Sequence, residues 1–223
     1  MTRVIIFAKA PIAGAAKTRL IPRLGPHGAA ALHAAMVERT VAMACAARVG
    51  PIELACTPDT LHPLFASIAR EYGITLVDQG PGDLGERMRR ALERGVRELG
   101  AAMAIGTDCP ALDARYLQAA GAALDMGVPV VIGPAEDGGY VLIGLRTDYA
   151  ELFQGIAWGT DTVLPATRSV LRARGTTCHE LATLWDVDRP HDLDRLRIDY
   201  PELAAPVVIA SSAEKIDLSQ PTL

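Results

Sequence analysis

The sequence has no excess of positive charge, no long apolar run and no basic leader segment, and each absence excludes a class of protein. It contains 22 Lys and Arg residues against 26 Asp and Glu residues, a formal net charge of -4, so a basic surface that clamps nucleic acid is not expected. No apolar stretch reaches the length of a bilayer span, and the first residues lack the pattern of a signal peptide. We therefore expect a soluble, cytoplasmic protein that binds neither nucleic acid nor membrane. A local basic pocket for a small anionic ligand stays compatible with this charge.

Cysteine is scarce, and so are recognisable nucleophilic constellations. The four cysteines are Cys45, Cys56, Cys109 and Cys178. They form no C-x-x-C pair and have no histidine at ligand spacing, so neither a zinc site nor a disulfide framework is predicted. No Ser/His/Asp or Cys/His set is apparent, and the chemistry of this chain is not expected to need a protein nucleophile.

The residues that are present alternate between short apolar runs and helical patterns about six times. This alternation predicts an α/β fold with a mostly parallel sheet, helices on both faces and right-handed crossovers. We expect one domain over residues 1–200 and an irregular C-terminal tail over residues 201–223. Predicted strands cover residues 3–8, 51–57, 73–78, 101–105, 129–134 and 176–181, with an antiparallel strand added by a hairpin through residues 136–139. Predicted helices cover residues 26–49, 58–72 and 114–126. Another follows the glycine-rich turn and ends near residue 99, and the next, with Thr160 or Asp161 as its N-cap, ends near residue 175. A last helix follows residue 188.

Asp108 follows a short apolar run, residues 101–105, that has the composition of a buried parallel strand. In an open parallel sheet, ligands bind in the crevice beyond the carboxyl ends of the strands. Asp108 is therefore placed to hold a divalent cation or a substrate hydroxyl. The competing interpretation is that Asp108 caps a helix that begins at Pro110.

A basic loop follows the first predicted strand and carries Lys9, Lys17 and Arg19. Proline and glycine give this loop a defined shape, and its position suits the binding of phosphates. The loop matches neither G-x-x-x-x-G-K-[ST] nor G-x-G-x-x-G. In the competing interpretation the three cations only solvate a surface loop.

Three further polar segments follow predicted strands. The glycine-rich turn at residues 79–88 could present helix N–H groups to an anion or a base, or could be an ordinary loop. Glu136 and Asp137, followed by two glycines, suit a substrate pocket as well as a simple hairpin. In the Asp-x-Asp pair at residues 186–188, an extended backbone would place both carboxylates on one side. Asp188 is the candidate for a second metal ligand. The alternative is that it only places a negative charge at the N-terminus of a helix.

The cations of the basic loop and the carboxylates that follow the later strands together indicate a site for phosphates and a metal ion. Lys and Arg neutralise phosphate oxygens, while a pair of carboxylates can hold Mg²⁺ or Mn²⁺ that bridges the same phosphates. Catalysis would then consist of positioning and electrostatic stabilisation.

Five segments in combination resemble a known family. The first lies within residues 7–20 and consists of FAKAP at 7–11, Gly14 and KTRL at 17–20. The other four are GDLGERM at 82–88, GTDCP at 106–110, GPAEDGGY at 133–140 and DVDRPHDL at 186–193. The chain resembles the radical-SAM/selenodomain-associated transferase 1, or glycosyltransferase-like, family, which is related to 2-phospho-lactate guanylyltransferase and more distantly to molybdenum cofactor guanylyltransferase. The resemblance covers residues 3–196 and implies a GT-A type nucleotide-diphospho-sugar transferase fold.

The resemblance, joined to the residue patterns, assigns roles to individual positions. Asp108 stands where the metal-binding Asp follows the central strand, and Asp186 and Asp188 stand at the late polar pair. The expected nucleotide-binding residues are Ala8, Lys9, Pro11, Gly14, Lys17, Arg19, Gly82, Leu84 and Gly85. The expected substrate-binding residues are Glu136, Asp137, Gly138 and Gly139. We expect Lys17, Arg19 and Asp108 to act in catalysis, and Asp108 and Asp188 to bind Mg²⁺ or Mn²⁺. The chain departs from the family at Gly159, where Ser is frequent, and at residues 189–193, which bears on substrate more than on fold.

Three functions follow as hypotheses. The first is nucleotidyl transfer from a nucleoside triphosphate to a small phosphorylated acceptor, favoured by the charge of the basic loop. The second is glycosyl transfer from a nucleoside-diphosphate sugar, with Asp137 near the acceptor or the sugar. The third is a non-catalytic nucleotide-binding module, which the complete charged set argues against.

Overall fold

The computed structural model describes residues 1–204. Its seven strands are Arg3–Lys9 (β1), Ile52–Thr57 (β2), Thr75–Asp78 (β3), Ala102–Ile105 (β4), Val130–Pro134 (β5), Tyr140–Leu145 (β6) and Cys178–Glu180 (β7). They form one sheet in the order β3-β2-β1-β4-β6-β5-β7. β6 runs antiparallel to β4 and β5, and the other pairs are parallel. The predicted α/β class, including the antiparallel hairpin strand, is confirmed.

Alternation along β1 explains why the sheet is covered on both faces. Val4 and Ile6 pack into one buried cluster, and Ile5 between them packs into another. All three side chains are fully buried. Because successive side chains of a strand point to opposite faces, a continuous apolar run requires a core on each side.

Helices cover both faces of the sheet. They are Ile21–Ala47 (α1), Pro63–Tyr72 (α2), Leu84–Leu99 (α3), Ala114–Asp125 (α4), Val163–Ala173 (α5) and Asp192–Asp199 (α6), with short 3-10 helices at Thr18–Leu20 and Ala150–Phe153. α1 is broken at Gly25, whose φ of 67° is not helical. The regular part of α1 therefore starts where Pro26 predicted it. None of the helices in residues 1–204 is both long and apolar enough to cross a bilayer.

The N-termini of three helices correct one predicted start and exclude two suggested caps. α2 begins at Pro63 rather than at residue 58, because the His62 ring accepts a hydrogen bond from the Leu64 amide. α4 is capped by Asp113, which accepts from the Tyr116 amide at 2.8 Å. Asp108 therefore does not cap a helix beginning at Pro110. The residue that precedes α5 is Thr162, so the expectation of a cap at residue 160 or 161 was wrong.

A third apolar cluster joins the start of α1 to the last part of the described chain. It contains Leu20, Leu24, Leu32, Met36, Trp185, Val187, Leu193, Leu196 and Leu203, among others. Residues 201–204 are helical, so irregular structure does not begin at Pro201. The remainder of the predicted tail, residues 205–223, lies outside the described residues.

Candidate active site

The polar segments named above meet at the carboxyl edge of the sheet. The backbone joins two of them directly, since the Val187 amide donates to the Asp108 carbonyl at 2.8 Å. It joins the hairpin to the same region, because the Glu136 amide donates to the Leu184 carbonyl at 2.9 Å. The Asp-x-Asp segment is thereby fixed beside the central strand.

Lys17 lies at the centre of this arrangement. Its backbone is left-handed, with a φ of 47°, and its side chain is only 4% exposed. The ammonium lies 2.8 Å from Asp108 Oδ1 and donates to the Val187 carbonyl at 2.5 Å. Lys17 therefore ties the basic loop to both acidic segments, and its charge balances Asp108.

Asp108 divides its two oxygens between the protein and the cavity. Oδ1 is closed off from solvent, whereas the side chain as a whole is 47% exposed. Burial alone would raise the pKa of Asp108, but the charge of the Lys17 ammonium holds it below its usual value. Asp108 is therefore a carboxylate at neutral pH, with one oxygen available to a ligand.

His33 of α1 lies behind this ion pair. Its Nε2 is 2.9 Å from the Lys9 carbonyl, which can only accept, so Nε2 carries the proton. Its Nδ1 lies 3.9 Å from Asp108 Oδ1. Burial lowers the pKa of His33, and Asp108 only partly opposes that effect. His33 is accordingly a neutral support of the basic loop.

Four carboxylates converge in front of Lys17: Asp108, Asp137, Asp186 and Asp188. Burial, followed by the charges of Asp137 and Asp108, raises the pKa of Asp186 to about 6. Asp188 differs because it pairs with the Arg19 guanidinium. Asp186 is thus the member of this carboxylate cluster that carries an electrostatic penalty.

The carboxylate cluster borders three adjoining cavities. The phosphate-side cavity, about 280 Å³, is lined by Lys9, Lys17, Arg19, His33, Asp108 and Asp188, among others. The polar cavity, about 670 Å³, is lined by Arg19, Glu136, Asp137, Trp185, Asp186, Asp188, Arg189 and Arg195, among others. The aromatic cavity, about 270 Å³, has an apolar wall of Phe7, Leu84, Met88, Tyr140, Trp158 and Val163 and is also bordered by all four aspartates.

The structure brings most of the charged predicted residues together. Lys9, Lys17, Arg19, Asp108 and Asp188 share the phosphate-side cavity. Lys9 extends along the loop and donates to the Ala15 carbonyl at 2.8 Å. Arg19 and Asp188 pair across the entrance between the phosphate-side and polar cavities, which they both line.

Glu136 and the hairpin turn border the larger cavities. Glu136 receives two hydrogen bonds from Arg195, at 3.0 and 3.2 Å, and that guanidinium lies 4.3 Å from the ring centroid of Trp185. Asp137 Oδ1 accepts from the Gly139 amide at 2.9 Å, which closes the turn. Gly138 packs against the backbone of Asp161, where a Cβ would come within 2.4 Å of a carbonyl oxygen.

The remaining predicted nucleotide-binding residues are less directly placed. Ala8 is buried in β1, and its carbonyl accepts from the Gln79 side-chain amide at 3.2 Å. Pro11 is half-buried and Gly14 is exposed on the outer turn of the basic loop. Gly82 precedes α3, Leu84 lines the aromatic cavity, and Gly85 is buried beneath Trp158.

Three residues of the candidate site received no binding or catalytic role from the sequence. Asp186 had a signal in the Asp-x-Asp spacing, but only burial beside Asp137 and Asp108 distinguishes it from Asp188. His33 stands in an alanine-rich helix with no pattern that would mark it. Trp158 precedes α5 by five residues and reaches the site through its packing on α3 and on Tyr140.

The donor chemistry of the carboxylate cluster fits a small divalent cation. Within residues 1–204, no three side chains of ligating type are placed to hold an ion unaided. Mg²⁺ usually takes one or two protein carboxylates and completes its shell with water and substrate phosphates. The available oxygen of Asp108 and the unbalanced charge of Asp186 satisfy that requirement.

Comparison with known proteins identifies the family. Residues 40–160 match the profile of a family described as "Uncharacterized protein conserved in bacteria (DUF2064)". The chain belongs to the DUF2064 family. The matched segment of this DUF2064 protein includes Asp108, Asp137 and Trp158 but not the basic loop or Asp188. No curated protein matches the sequence.

Solved structures share the fold of this DUF2064 protein. A candidate nucleotide-diphospho-sugar transferase from Desulfovibrio desulfuricans G20 superposes with a TM-score of 0.81 at 26% identity, covering 95% of this chain and 96% of its own. A cytidylyltransferase from Leptospira borgpetersenii serovar Hardjo-bovis gives a TM-score of 0.58 at 12% identity and covers 100% and 99%. Glucosyl-3-phosphoglycerate synthase from Mycobacterium tuberculosis, in complex with Mn²⁺ and UDP, gives 0.50 at 12% identity and covers 95% and 79%. The structural neighbours are transferases, and the predicted GT-A-like fold is confirmed.

Proposed function

We propose that this protein is a metal-dependent transferase that uses a nucleoside-phosphate donor, and that it transfers a nucleotidyl group from a nucleoside triphosphate to a small phosphorylated acceptor. The observation that carries this proposal is the phosphate-side cavity, where Lys9, Lys17 and Arg19 face Asp108 and Asp188. A triphosphate needs both the cations and the oxygen ligands of a bound metal ion, and this cavity offers both. The domain that carries out the reaction corresponds to residues 1–200.

Each charged group has a separate task in this proposal. Lys9 and Arg19 bind donor phosphates, and Lys17 positions Asp108 while balancing its charge. Asp108 and Asp188, supported by Asp186, would hold Mg²⁺ or Mn²⁺. When bound, such an ion supplies charge neutralisation of the donor phosphates. The other predicted binding residues, from Ala8 to Gly14 and from Gly82 to Gly85 for the donor and from Glu136 to Gly139 for the substrate, remain part of the proposal.

The reaction itself is a displacement at the donor's α-phosphorus. An oxygen of the acceptor phosphate forms a bond to that phosphorus while the bond to the bridging oxygen breaks, and pyrophosphate leaves with the electron pair. The acceptor phosphate is already ionised at neutral pH, so no general base is required. The protein's contribution is to align the two anions and to offset their repulsion.

Glycosyl transfer is the second candidate, and one specific observation favours it. The neighbour at 26% identity is described as a nucleotide-diphospho-sugar transferase. In this alternative a nucleoside-diphosphate sugar occupies the phosphate-side cavity, and Asp137 contacts the sugar or its acceptor. The specific relation to radical-SAM/selenodomain-associated transferases and the non-catalytic alternative both remain predictions.

A thermal-shift panel tests the proposal. The four nucleoside triphosphates and common nucleoside-diphosphate sugars are each added with and without Mg²⁺ or Mn²⁺. A donor at ~100 times its dissociation constant stabilises the fold by about 2.7 kcal/mol, which corresponds to roughly 5–10 °C in a domain of this size. We expect a metal-dependent shift with at least one triphosphate.

Variants tie that shift to the carboxylate cluster. Asp188→Asn and Asp108→Asn should abolish the metal-dependent part of the shift, whereas Asp148→Asn, at an exposed position outside the three cavities, should retain it. A shift confined to nucleoside-diphosphate sugars would establish the glycosyl alternative instead. The absence of a shift with every nucleotide would refute a nucleotide donor.

A further inference from the structure

The aromatic cavity has features that the donor does not explain. We propose that it binds an uncharged, hydroxyl-bearing part of the acceptor, with Tyr140 and Trp158 as hydrogen-bond donors to it. This inference rests on the proposed function, because it assigns the ligand of the aromatic cavity to the acceptor. Asp108 and Asp188 border the phosphate-side and aromatic cavities alike, so a group bound in one cavity lies next to the contents of the other.

Tyr140 and Trp158 form an aromatic corner with two unused donors. Their rings meet edge to face at 85° with centroids 6.4 Å apart, and Phe153 stacks on Trp158 at 19°. Tyr140 Oη and Trp158 Nε1 are both closed off from solvent and have no hydrogen-bond partner in the described chain. Buried donors are normally paired, because leaving one unpaired costs its full desolvation. Two such donors in adjacent rings are the expected signature of a site that a ligand completes.

The position of the indole shows how a ligand can reach these donors. Trp158 lies so close to α3 that a Cβ at position 85 would come within 2.4 Å of Nε1. Only glycine at that position permits the contact. Trp158 is flanked by Gly155 and Gly159, with φ of 67° and 78° and open space around both. A small movement of this segment would turn Nε1 away from Gly85 and towards the cavity.

The lining determines which chemistry fits. All four aspartates of the carboxylate cluster border the aromatic cavity, and no Lys, Arg or His residue is among its lining residues. A phosphate or carboxylate group on the ligand would therefore be repelled there. The two unused groups are donors, so the ligand has to offer acceptor oxygens. The apolar wall, which includes Phe7 and Met88, suits a ring or aliphatic face. An uncharged hydroxyl compound meets all three requirements.

Fluorine NMR of protein labelled with 5-fluorotryptophan tests this proposal. The chain has two tryptophans, so Trp158 gives one resonance, and Trp185, in the polar cavity, provides the internal reference. Metal-free protein is titrated with benzyl alcohol, benzyl phosphate and benzylamine, which share one ring and differ in charge. We expect benzyl alcohol to move the Trp158 resonance saturably, and benzyl phosphate to do so at least tenfold more weakly. Benzylamine is attracted by the aspartates but offers no acceptor oxygen, so Tyr140→Phe should bind it as tightly as the parent does.

Two tyrosine variants locate the contact. Tyr140→Phe should weaken benzyl alcohol binding about threefold to tenfold, the typical effect of losing one neutral hydrogen bond. Its melting temperature should not fall, because the hydroxyl has no partner to lose. Tyr149→Phe, buried elsewhere in the same core, should bind like the parent. An unmoved Trp158 resonance, equal binding of benzyl alcohol by Tyr140→Phe, or tighter binding of benzyl phosphate than of the alcohol would overturn the proposal.

Nucleotide binding is measured on the same samples, so the two proposals fail separately. If a triphosphate with Mg²⁺ stabilises the protein but no uncharged probe moves Trp158, the assignment of the aromatic cavity is wrong and the proposed function stands. If benzyl alcohol moves Trp158 but no nucleotide binds, the cavity is a site for an uncharged ligand and the nucleotide donor is wrong.

Discussion

At the scale of single residues, the charge of Asp186 is electrostatically unfavourable, and no local structural role requires it. The Asp186 side chain makes no hydrogen bond within residues 1–204, so a neutral isostere could replace it, yet it is held beside Asp137 and Asp108 with its pKa raised to about 6. Strongly shifted carboxylates cluster at functional sites, where stability is sacrificed for ligand binding. Lys17 behaves in the opposite way, since its buried charge is matched by Asp108.

Asp186→Asn should therefore stabilise the metal-free protein at neutral pH. The pKa of this carboxyl is higher in the folded state than its unfolded value of about 3.9, so the parent is most stable below that value and loses stability as the pH rises through about 6. The asparagine variant does not ionise. We expect it to exceed the parent by roughly 1–3 kcal/mol at pH 7.5 and to match it near pH 4.

Urea unfolding at pH 7.5, 6 and 4.5 measures this difference. Asp161→Asn, at an exposed position lining the polar cavity, is the matched control and should show no comparable gain. A variant less stable than the parent at pH 7.5 would mean that Asp186 holds the fold together rather than serving a ligand.

At the scale of elements, α3 presents its first turn to the site. Asp83 and Glu86 close a capping box there: Asp83 accepts from the Glu86 amide at 2.9 Å, and the Glu86 carboxylate accepts from the Asp83 amide at 3.3 Å. The glycine between them leaves room for the Trp158 indole. The same turn thus provides a stable helix start and one wall of the aromatic cavity.

Gly85→Ala should separate these two roles. The capping box and the higher helix propensity of alanine, worth up to about 1 kcal/mol, should preserve α3, while the new Cβ displaces the indole. We expect the tryptophan emission to move to longer wavelength as Trp158 becomes solvated, with little change in far-UV circular dichroism. Gly106→Ala, where a Cβ meets nothing within 4 Å, should leave the emission unchanged. The same emission in both variants would show that Trp158 does not depend on this contact.

At the scale of the whole molecule, the third apolar cluster holds the two sides of the site together. It packs the start of α1, which follows the basic loop, against α6 and the residues around Val187. Lys17 then bonds to the Val187 carbonyl at 2.5 Å. The geometry between cations and carboxylates therefore depends on apolar packing distant from the reacting groups.

Leu196→Ala measures how much the third apolar cluster contributes to the stability of the fold. Leu196 is 1% exposed, and truncating a buried leucine costs about 2–5 kcal/mol, or roughly 5–15 °C in melting temperature. Calorimetry should show that loss, and Leu61→Ala, at a position 81% exposed, should melt like the parent. A loss below about 1 kcal/mol would mean that the third cluster contributes little to the stability of the fold.

The fold class and the edge of the sheet at which the polar segments gather both follow from residue patterns alone. Apolar runs alternating with helical patterns imply a parallel sheet, and the carboxyl ends of parallel strands meet at one edge whatever the details of packing. Lys17, Arg19, Asp108 and Asp188 could be placed there because each follows a strand-length run. The start of α2 was less well predicted, because the His62 ring caps this helix several residues after the predicted start.

Tertiary structure decided which of these residues meet and in what state of charge. The pairing of Lys17 with Asp108, the raised pKa of Asp186 and the contact of Trp158 with Gly85 each join positions that are tens of residues apart. Burial and Coulomb interactions depend on distances in the folded chain, to which residue spacing gives no access. The sequence therefore indicated where the candidate site lies, and only packing determined its charges and its cavities.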